Sequence, residues 1–378
     1  MLMVVVACGK AALSADRHRG DNARVFTVTL KSTGRRFGVA AGETVLEAAQ
    51  RAGIALPYSC RAGVCGSCKA TLLAGRCDYP RNPPLALDAD ERAHRAVLLC
   101  QAVPASDLLL EAREVASVED IARRQLGVYV TGKHTLAPDV TGLHLHPVEG
   151  EPRLRWLPGQ YLDVLLEDGR HRSFSIANGP QADGCIELHV RHVAGGGFTS
   201  QVADALAVGD TLRIEAPLGT FVAREDSERP MIFVAGGTGI APVKAIVEHF
   251  IELGTRRAME VYWGVRRATD LYLLPQIEQW QRQARQLRFH AVLSEEGCAS
   301  GLRLGLAHDA VLADHPDLSM HDIYMSGPPA MIDVARHRFV AAGLPEARLY
   351  YDSFEYAPDV LAQIIAARAG IHERRGEP

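Results

Sequence analysis

The sequence predicts a multi-domain protein: an α+β unit, then an antiparallel β-barrel, then an α/β unit built on a parallel sheet. Three observations carry that expectation. The chain has 378 residues, enough for two or three domains at roughly 150 residues each. Five of its eight cysteines fall between Tyr58 and Gln101, so the first part carries a chemistry that the rest does not. After Arg229-Pro230 the pattern changes from short strands spaced by Gly, Pro and Asp to apolar strands alternating with helices.

Composition narrows the function classes. Hydrophobic residues make up 47% and charged residues 23%, which excludes wholesale disorder. With 41 basic and 45 acidic residues the net charge is -4; no long basic stripe appears, so no nucleic-acid partner is expected. No apolar run reaches the roughly 18 residues of a membrane span. Met1 to Cys8 is apolar but short, with no basic residue before it, so no signal peptide is expected there. These features predict a soluble, cytoplasmic protein, in which clustered thiols serve as metal ligands rather than as a disulfide framework.

The elements follow in order. Val25 to Leu30 alternates like a strand, and Arg35 to Val39 can pair with it across Ser32-Thr33-Gly34. Ala41-Gly42-Glu43-Thr44 introduces a short helix, Val45 to Ala52, with Val45, Leu46 and Ala49 on its apolar face. The charge run between Glu111 and Arg124 predicts a linker. Strands are expected at Gln160 to Leu166, Arg172 to Ala177, Ile186 to His192 and Thr211 to Glu215, spaced as in a barrel. The parallel-sheet pattern runs through Met231 to Ala235, Val243 to Leu253, Met259 to Trp263, Pro275 to Ala284, Arg288 to Leu293 and Ile323 to Met325. His144 and His146 share one strand face without a third ligand and read as ordinary strand residues. A helical apolar face over Val360 to Ile371 predicts a tail that packs on the body or on a second copy.

Cys60, Cys65 and Cys68, followed by Cys100 after thirty-one residues, have the C-x4-C-x2-C…C spacing of a [2Fe-2S] site. Four thiolates must converge on two irons, and a tight loop supplies three of them. Gly63 and Gly66 free the loop to turn and let its N–H groups point at sulfur. Zinc would need paired Cys-x2-Cys units, which are absent. Cys77 lies outside the pattern and reads as a core residue. On these residues, positions 25–115 resemble a plant-type ferredoxin domain of the β-grasp kind, which implies that Cys60, Cys65, Cys68 and Cys100 ligate the cluster. One departure is charge. The segment holds 11 basic and 9 acidic residues, whereas free-standing ferredoxins of that type are strongly acidic. A fused domain receives electrons from its own chain and needs less steering.

Arg172-Ser173-Phe174-Ser175 places a cation and an aromatic ring on one strand face and two hydroxyls on the other. These are parts that a flavin dinucleotide needs. Gly195-Gly196-Gly197-Phe198-Thr199-Ser200 adds a glycine-rich turn with hydroxyls, suited to phosphate. With Pro158-Gly159-Gln160-Tyr161, positions 122–226 resemble the FAD domain of the ferredoxin–NADP reductase superfamily. The resemblance implies that Arg172 holds the pyrophosphate, Phe174 stacks on the isoalloxazine, Ser175 lies near N5, and Gly197 and Ser200 bind phosphate. Relatives more often have Tyr at Phe174, an exchange that keeps the stacking.

Gly236-Gly237-Thr238-Gly239-Ile240-Ala241-Pro242 follows an apolar strand and precedes a helix, so a pyrophosphate can approach the helix N-terminus. Pro242 stands where the common dinucleotide fingerprint has its third glycine. Together with Trp263 to Arg266 and Ser326-Gly327-Pro328-Pro329, this resembles the same superfamily's pyridine-nucleotide domain, expected over 229–354 and followed by a tail helix over 355–378. The resemblance implies nucleotide contacts from Gly236, Gly237, Thr238, Gly239, Pro242, Arg266, Gly327 and Pro328. It also implies that Ser326, where many members have Cys, faces the nicotinamide. Asp352-Ser353-Phe354 resembles the motif that covers the flavin, with Phe354 or Tyr356 as the stacking ring.

The order ferredoxin, FAD, nucleotide resembles the reductase components of bacterial aromatic-ring dioxygenases and of phenol and methane monooxygenases. It is also similar to the reductase serving CDP-6-deoxy-sugar dehydration. The resemblance implies an NAD(P)H-dependent oxidoreductase that passes electrons through FAD and a [2Fe-2S] cluster to an oxygenase or dehydratase component, with Ser175, Ser326 and Asp352 nearest the transfer. A self-contained flavin or quinone reductase is the alternative. In NADP-dependent relatives a basic residue commonly follows the Ser corresponding to Ser294. Here Glu295 and Glu296 follow it, against one nearby Arg267, so NADH is expected over NADPH.

Overall fold

The structure, a computed structural model, describes residues 25–115, 121–180, 183–192, 199, 202, 204–295 and 302–354. Gly197, Ser200, Glu296, Tyr356 and the tail expected over 355–378 lie outside the described residues.

The first unit contains β1 (Phe26–Leu30), β2 (Arg36–Val39), α1 (Val45–Arg51), β3 (Lys69–Ala74), β4 (Cys77–Asp78), α2 (Ala89–Ala93), β5 (Ala96–Leu98), β6 (Val103–Pro104) and β7 (Leu108–Glu111). Its main sheet has the order β2-β1-β7-β3-β5, with β1 and β7 parallel. Thr44 starts α1 with a reciprocal cap: its hydroxyl accepts from the Glu47 amide while the Glu47 carboxylate accepts from the Thr44 amide. That helix turns Val45, Leu46, Ala48 and Ala49 onto Val28, Leu30 and Leu110. Each such aliphatic burial stabilises by roughly 1.5–3 kcal/mol for the larger side chains. The stretch read as a linker begins as structure: Glu111 ends β7, Ala112 and Val115 are buried, and Glu114 accepts from Arg35. Of the charges there, Glu114 pairs with Arg35 against the unit, while Glu111 and Arg113 stay exposed.

The second unit contains β8 (Arg124–Ala137), β9 (Val140–Pro147), β10 (Tyr161–Leu165), β11 (His171–Ser175), β12 (Ile186–Arg191) and β13 (Thr211–Leu218). Its sheet order is β11-β10-β13-β8-β9-β12, antiparallel in every pair. Alternate residues Leu126, Val128 and Val130 meet Leu143, Leu145, Leu162, Ile176 and Leu188 in its core. His144 stacks on His134 at 5.3 Å between ring centres, and His146 takes Thr131 as partner.

The third unit contains β14 (Met231–Gly236), α3 (Ile240–Glu252), β15 (Met259–Val265), α4 (Leu274–Gln283), β16 (Leu287–Leu293), β17 (Arg303–Leu304), α5 (Ala307–Asp314), β18 (Asp322–Gly327), α6 (Pro329–Ala341) and β19 (Leu349–Ser353). The strands lie in the order β17-β16-β15-β14-β18-β19, each pair parallel. Both faces are covered. Met231, Phe233 and Ala235 join one core with Val243 and Trp280, while Ile232 and Val234 join another with Val311 and Phe339. A strand buried on both faces is apolar throughout, which is why it reads as a continuous run in the sequence.

Candidate functional site

The cysteine loop leaves α1 and returns to β3. Cys60, Cys68 and Cys100 are buried and Cys65 is half-buried. Gly63 and Gly66 have φ of 80° and 78°, the left-handed region open to glycine at little cost. The Ala62 amide points at Cys60 Sγ at 3.4 Å, and the Ser67 amide at Cys65 Sγ at 3.5 Å. The thiols pair two by two, Cys60 with Cys65 and Cys68 with Cys100, each within hydrogen-bond reach of its neighbour. The hydrogen bond with Cys65 and then burial push Cys60 up; the same contact, seen from the other side, holds Cys65 down. Among the described residues, no three His, Cys, Asp or Glu side chains converge as one ion's ligands would. Two pairs of thiols beside each other, with amides aimed at sulfur, suit a two-iron cluster better than a single ion.

Tyr58 and Ser59, just before Cys60, plug into the other two units. The Gly219 amide donates to Tyr58 Oη at 2.9 Å, and the Tyr58 amide to Thr220 Oγ1 at 3.0 Å. The Ser59 hydroxyl donates to Asp352 Oδ1 at 2.8 Å and accepts from the Ser353 amide at 3.1 Å. The other oxygen of Asp352 accepts from Ser175 on β11 at 3.3 Å. Thus one buried carboxyl joins the cysteine loop, the Arg172–Ser175 strand and the last strand of the nucleotide sheet. Burial raises the Asp352 carboxyl, and its two seryl donors pull it only partly back.

On β11 the side chains divide as alternation requires. Ser173 donates to Asp163 at 2.6 Å, and the second oxygen of Asp163 takes Arg61 of the cysteine loop at 2.7 Å. Phe174 is half-buried and packs at the margin of the second core. The Arg172 guanidinium donates to the neighbouring His171 carbonyl at 2.8 Å.

The glycine turn connects β14 to α3 through a 3-10 turn over Gly237–Gly239. A Cβ at Gly239 would lie 2.0 Å from the Ser326 carbonyl oxygen, so only glycine lets the turn close on β18. The Gly237 carbonyl accepts from Trp263 Nε1 at 2.8 Å. Thr238 is half-buried beside it, and Pro242 occupies the first turn of α3. Gly236 packs against Pro328 and the backbone of Gly327. Ser326 sits in register between Ala235 and Asp352, and its hydroxyl is a buried polar atom without a partner among the described residues. Such an orphan suits a site that receives a polar ring. Phe354 is half-buried and donates its amide to the Gly327 carbonyl at 3.1 Å. Arg266 lies farther out, against Asp139 at 3.4 Å. Beside it Arg267 pairs with Glu295 at 3.7 Å.

The sequence reading missed several joining residues. Ser59, Asp163 and Arg61 belong to no motif read there. Lys244 of α3 donates to Glu187 at 2.9 Å, to Glu248 at 3.0 Å and to the Ala177 carbonyl at 3.1 Å, tying the second unit to the third. Burial acts to raise Glu187, but His189 and Lys244 outweigh it and hold the carboxyl down to about 2. Glu248 apart, four residues along the same helix, only a three-dimensional arrangement identifies these pairs: Glu187 lies 57 residues from Lys244, Asp163 102 from Arg61 and Asp352 293 from Ser59.

Comparison with known proteins gives concordant results. Three family models match, described as 2Fe-2S iron-sulfur cluster binding domain over residues 28–105, oxidoreductase FAD-binding domain over 128–222 and oxidoreductase NAD-binding domain over 233–337. The CDP-6-deoxy-L-threo-D-glycero-4-hexulose-3-dehydrase reductase of Yersinia pestis is 35% identical over 329 residues, 87% of this chain and 98% of the relative. Reductase component 2 of the terephthalate 1,2-dioxygenase of a Comamonas species is 36% identical, over 85% and 95%. A cytochrome P450 reductase of Amycolatopsis superposes with a TM-score of 0.71 at 33% identity, covering 88% of this chain and 99% of that one.

Proposed function

The chain belongs to the reductases that unite a 2Fe-2S domain, an FAD-binding domain and an NAD-binding domain in one polypeptide, and on that premise we propose how its residues divide the work. It is an oxidoreductase that passes electrons from NADH through FAD and a [2Fe-2S] cluster to a partner protein. When bound, the nicotinamide supplies a hydride, the flavin converts a two-electron input to single electrons, and the cluster carries one at a time.

Cys60, Cys65, Cys68 and Cys100 hold the cluster. Arg172 serves the FAD pyrophosphate, turning from its present carbonyl partner; Phe174 stacks on the flavin, with Phe354 as the second candidate ring. Gly197 and Ser200 complete the phosphate contacts. Gly236, Gly237, Thr238, Gly239 and Pro242 form the nucleotide turn, Gly327 and Pro328 its floor, and Arg266 its outer contact. Ser175, Ser326 and Asp352 stand nearest the reacting ring: Asp352 fixes the Ser175 hydroxyl, and Ser326 keeps a free one. The second unit, 122–226, closes as a barrel, a reading supported by the bridge Ile176–Leu188 between its two sheet edges. The first and third units span 25–115 and 229–354 as a β-grasp and a doubly covered parallel sheet. No described helix is long and apolar enough to cross a membrane; a cytoplasmic location is part of the proposal.

The acceptor is an oxygenase or a dehydratase component, as for the relatives named above. The observation that carries the division of roles is the junction at Asp352, where residues of all three units touch one carboxyl. Cofactor analysis of the purified protein tests it: FAD, two irons and two acid-labile sulfides are expected per chain, and FMN or zinc in their place would contradict it.

A further inference from the structure

Tyr351 precedes Asp352 on β19, so its side chain leaves the opposite face of the strand and meets the other end of the cysteine loop. There the phenol faces Ser67 and Arg336 of α6, beside Cys65. Arg336 comes so close that a Cβ at Gly66 would lie 2.7 Å from its Nη1. Ser67 in turn holds Cys65: its amide and its hydroxyl oxygen lie 3.5 and 3.4 Å from that sulfur. Neither Arg336 nor Tyr351 took part in the roles assigned above.

We propose that Arg336 and Tyr351, residues of the nucleotide-binding unit, set the reduction potential of the cluster through the line Arg336–Tyr351–Ser67–Cys65. Ligation requires the Cys65 thiolate, and a thiolate only accepts, so the Ser67 hydroxyl must donate to it. The Ser67 oxygen then accepts from the Tyr351 phenol, and the Tyr351 oxygen accepts from a guanidinium that can only donate. Every dipole in the line turns its positive end toward the sulfur, each bond reinforcing the next. Reduction adds one negative charge to the cluster, so a fixed cation and aligned donors favour the reduced state and raise the potential. Glu91 and Asp333 also act on Arg336 and offset part of that charge, Glu91 being itself engaged by Lys69. Both residues belong to a different unit from the four cysteines. The contact that brings the loop to Asp352 therefore also raises its affinity for the electron.

A dye-mediated redox titration of the full-length holoprotein, followed by electron paramagnetic resonance of the reduced cluster, tests this. Arg336→Gln is expected to shift the one-electron equilibrium about tenfold toward the oxidised state, a fall of about 59 mV. Tyr351→Phe, which keeps the ring and its packing, should lower the potential in the same direction, while Arg336→Lys should keep most of the wild-type value. Stopped-flow reduction of the flavin by NADH should be unchanged in all three. Unshifted potentials in both Arg336→Gln and Tyr351→Phe would overturn the proposal, as would an Arg336→Lys potential as low as that of Arg336→Gln. The inference rests on the cysteine assignment, so iron and sulfide are measured on each preparation. Wild-type protein without them would overturn that assignment, whereas a full cluster with an unshifted potential overturns this inference alone.

Discussion

Asp352 accepts a 2.8 Å hydrogen bond from Ser59 across a separation of 293 residues. Ser59 is the residue before Cys60, the first of the four cysteines proposed to hold the cluster, and Asp352 lies in the last described strand. The chain therefore closes on itself at the point where flavin strand, nucleotide sheet and cysteine loop meet.

The first prediction concerns the protonation of that carboxyl. Burial raises the native pKa of Asp352 above the unfolded value of about 3.9. Between the two values the folded state holds more protons than the unfolded, so stability falls as pH rises through the native pKa. Asp352→Asn removes this dependence. In urea titrations the wild type should lose stability relative to Asp352→Asn from about pH 4 upward. A difference between the two that is constant with pH would contradict the assignment.

Much of the fold was legible because its signals are local. The parallel strands carry unbroken apolar runs, as in Met231 to Ala235, and a strand covered on both faces must. The cysteine loop over Cys60 to Cys68 and the turn at Gly236 to Gly239 were legible as local structure because spacing within a dozen residues fixes their geometry. What stayed hidden is relational. Ser59 and Tyr351 are small or ordinary residues whose meaning arises only when β19 lies against the cysteine loop. The start of the charge run shows the same: Glu114 finds Arg35 at 3.2 Å, and Lys31 finds Glu111 at 3.2 Å, partners that local sequence cannot supply, while residues 116–120 lie outside the described residues.

Cys65→Ser should separate two assays. NADH-dependent reduction of cytochrome c, which draws on the cluster, should fall to background. Reduction of ferricyanide, which draws on the flavin, should stay largely intact. If both fall together in a folded, FAD-replete variant, the linear order of the carriers is wrong.

Lys244 should prove a fastening between the second and third units. Removing one partner of a buried ion pair costs about 3–5 kcal/mol, and Lys244→Ala leaves Glu187 facing Glu248 without a cation. Its melting temperature should drop well below that of wild type. Glu187, held down to about 2, adds a pH signature. Its contribution is complete above the ordinary glutamate value of about 4.3 and is lost as pH falls toward 2. Glu187→Gln should therefore show a shallower acid-induced loss of stability than wild type. Equal acid profiles would remove the carboxyl from the network.

Gly239→Ala should fail for want of space. The added methyl would lie 2.0 Å from the Ser326 carbonyl, and accommodating it costs roughly 1–3 kcal/mol of packing energy. Because the turn would shift away from β18, the KM for NADH should rise while the iron and FAD contents stay the same. An unchanged KM would show that this turn does not shape the nucleotide site.

The last prediction concerns the coenzyme. A 2′-phosphate carries up to two negative charges and is met by Arg or Lys, often bidentately. Glu295 stands at the end of β16, its amide donating to the Arg266 carbonyl at 3.0 Å. Arg267, a cation that could serve a phosphate, is instead paired with Glu295 at 3.7 Å. A phosphate entering there would have to displace that carboxylate from its arginine and then sit beside it. A ribose hydroxyl would only need to donate to it. NADH should therefore show the higher kcat/KM. Glu295→Arg should narrow the difference by improving NADPH, since it removes the repulsion and supplies a second fork. A wild-type preference for NADPH would sink the claim, and a Glu295→Arg variant no better with NADPH would show that this loop does not reach the ribose.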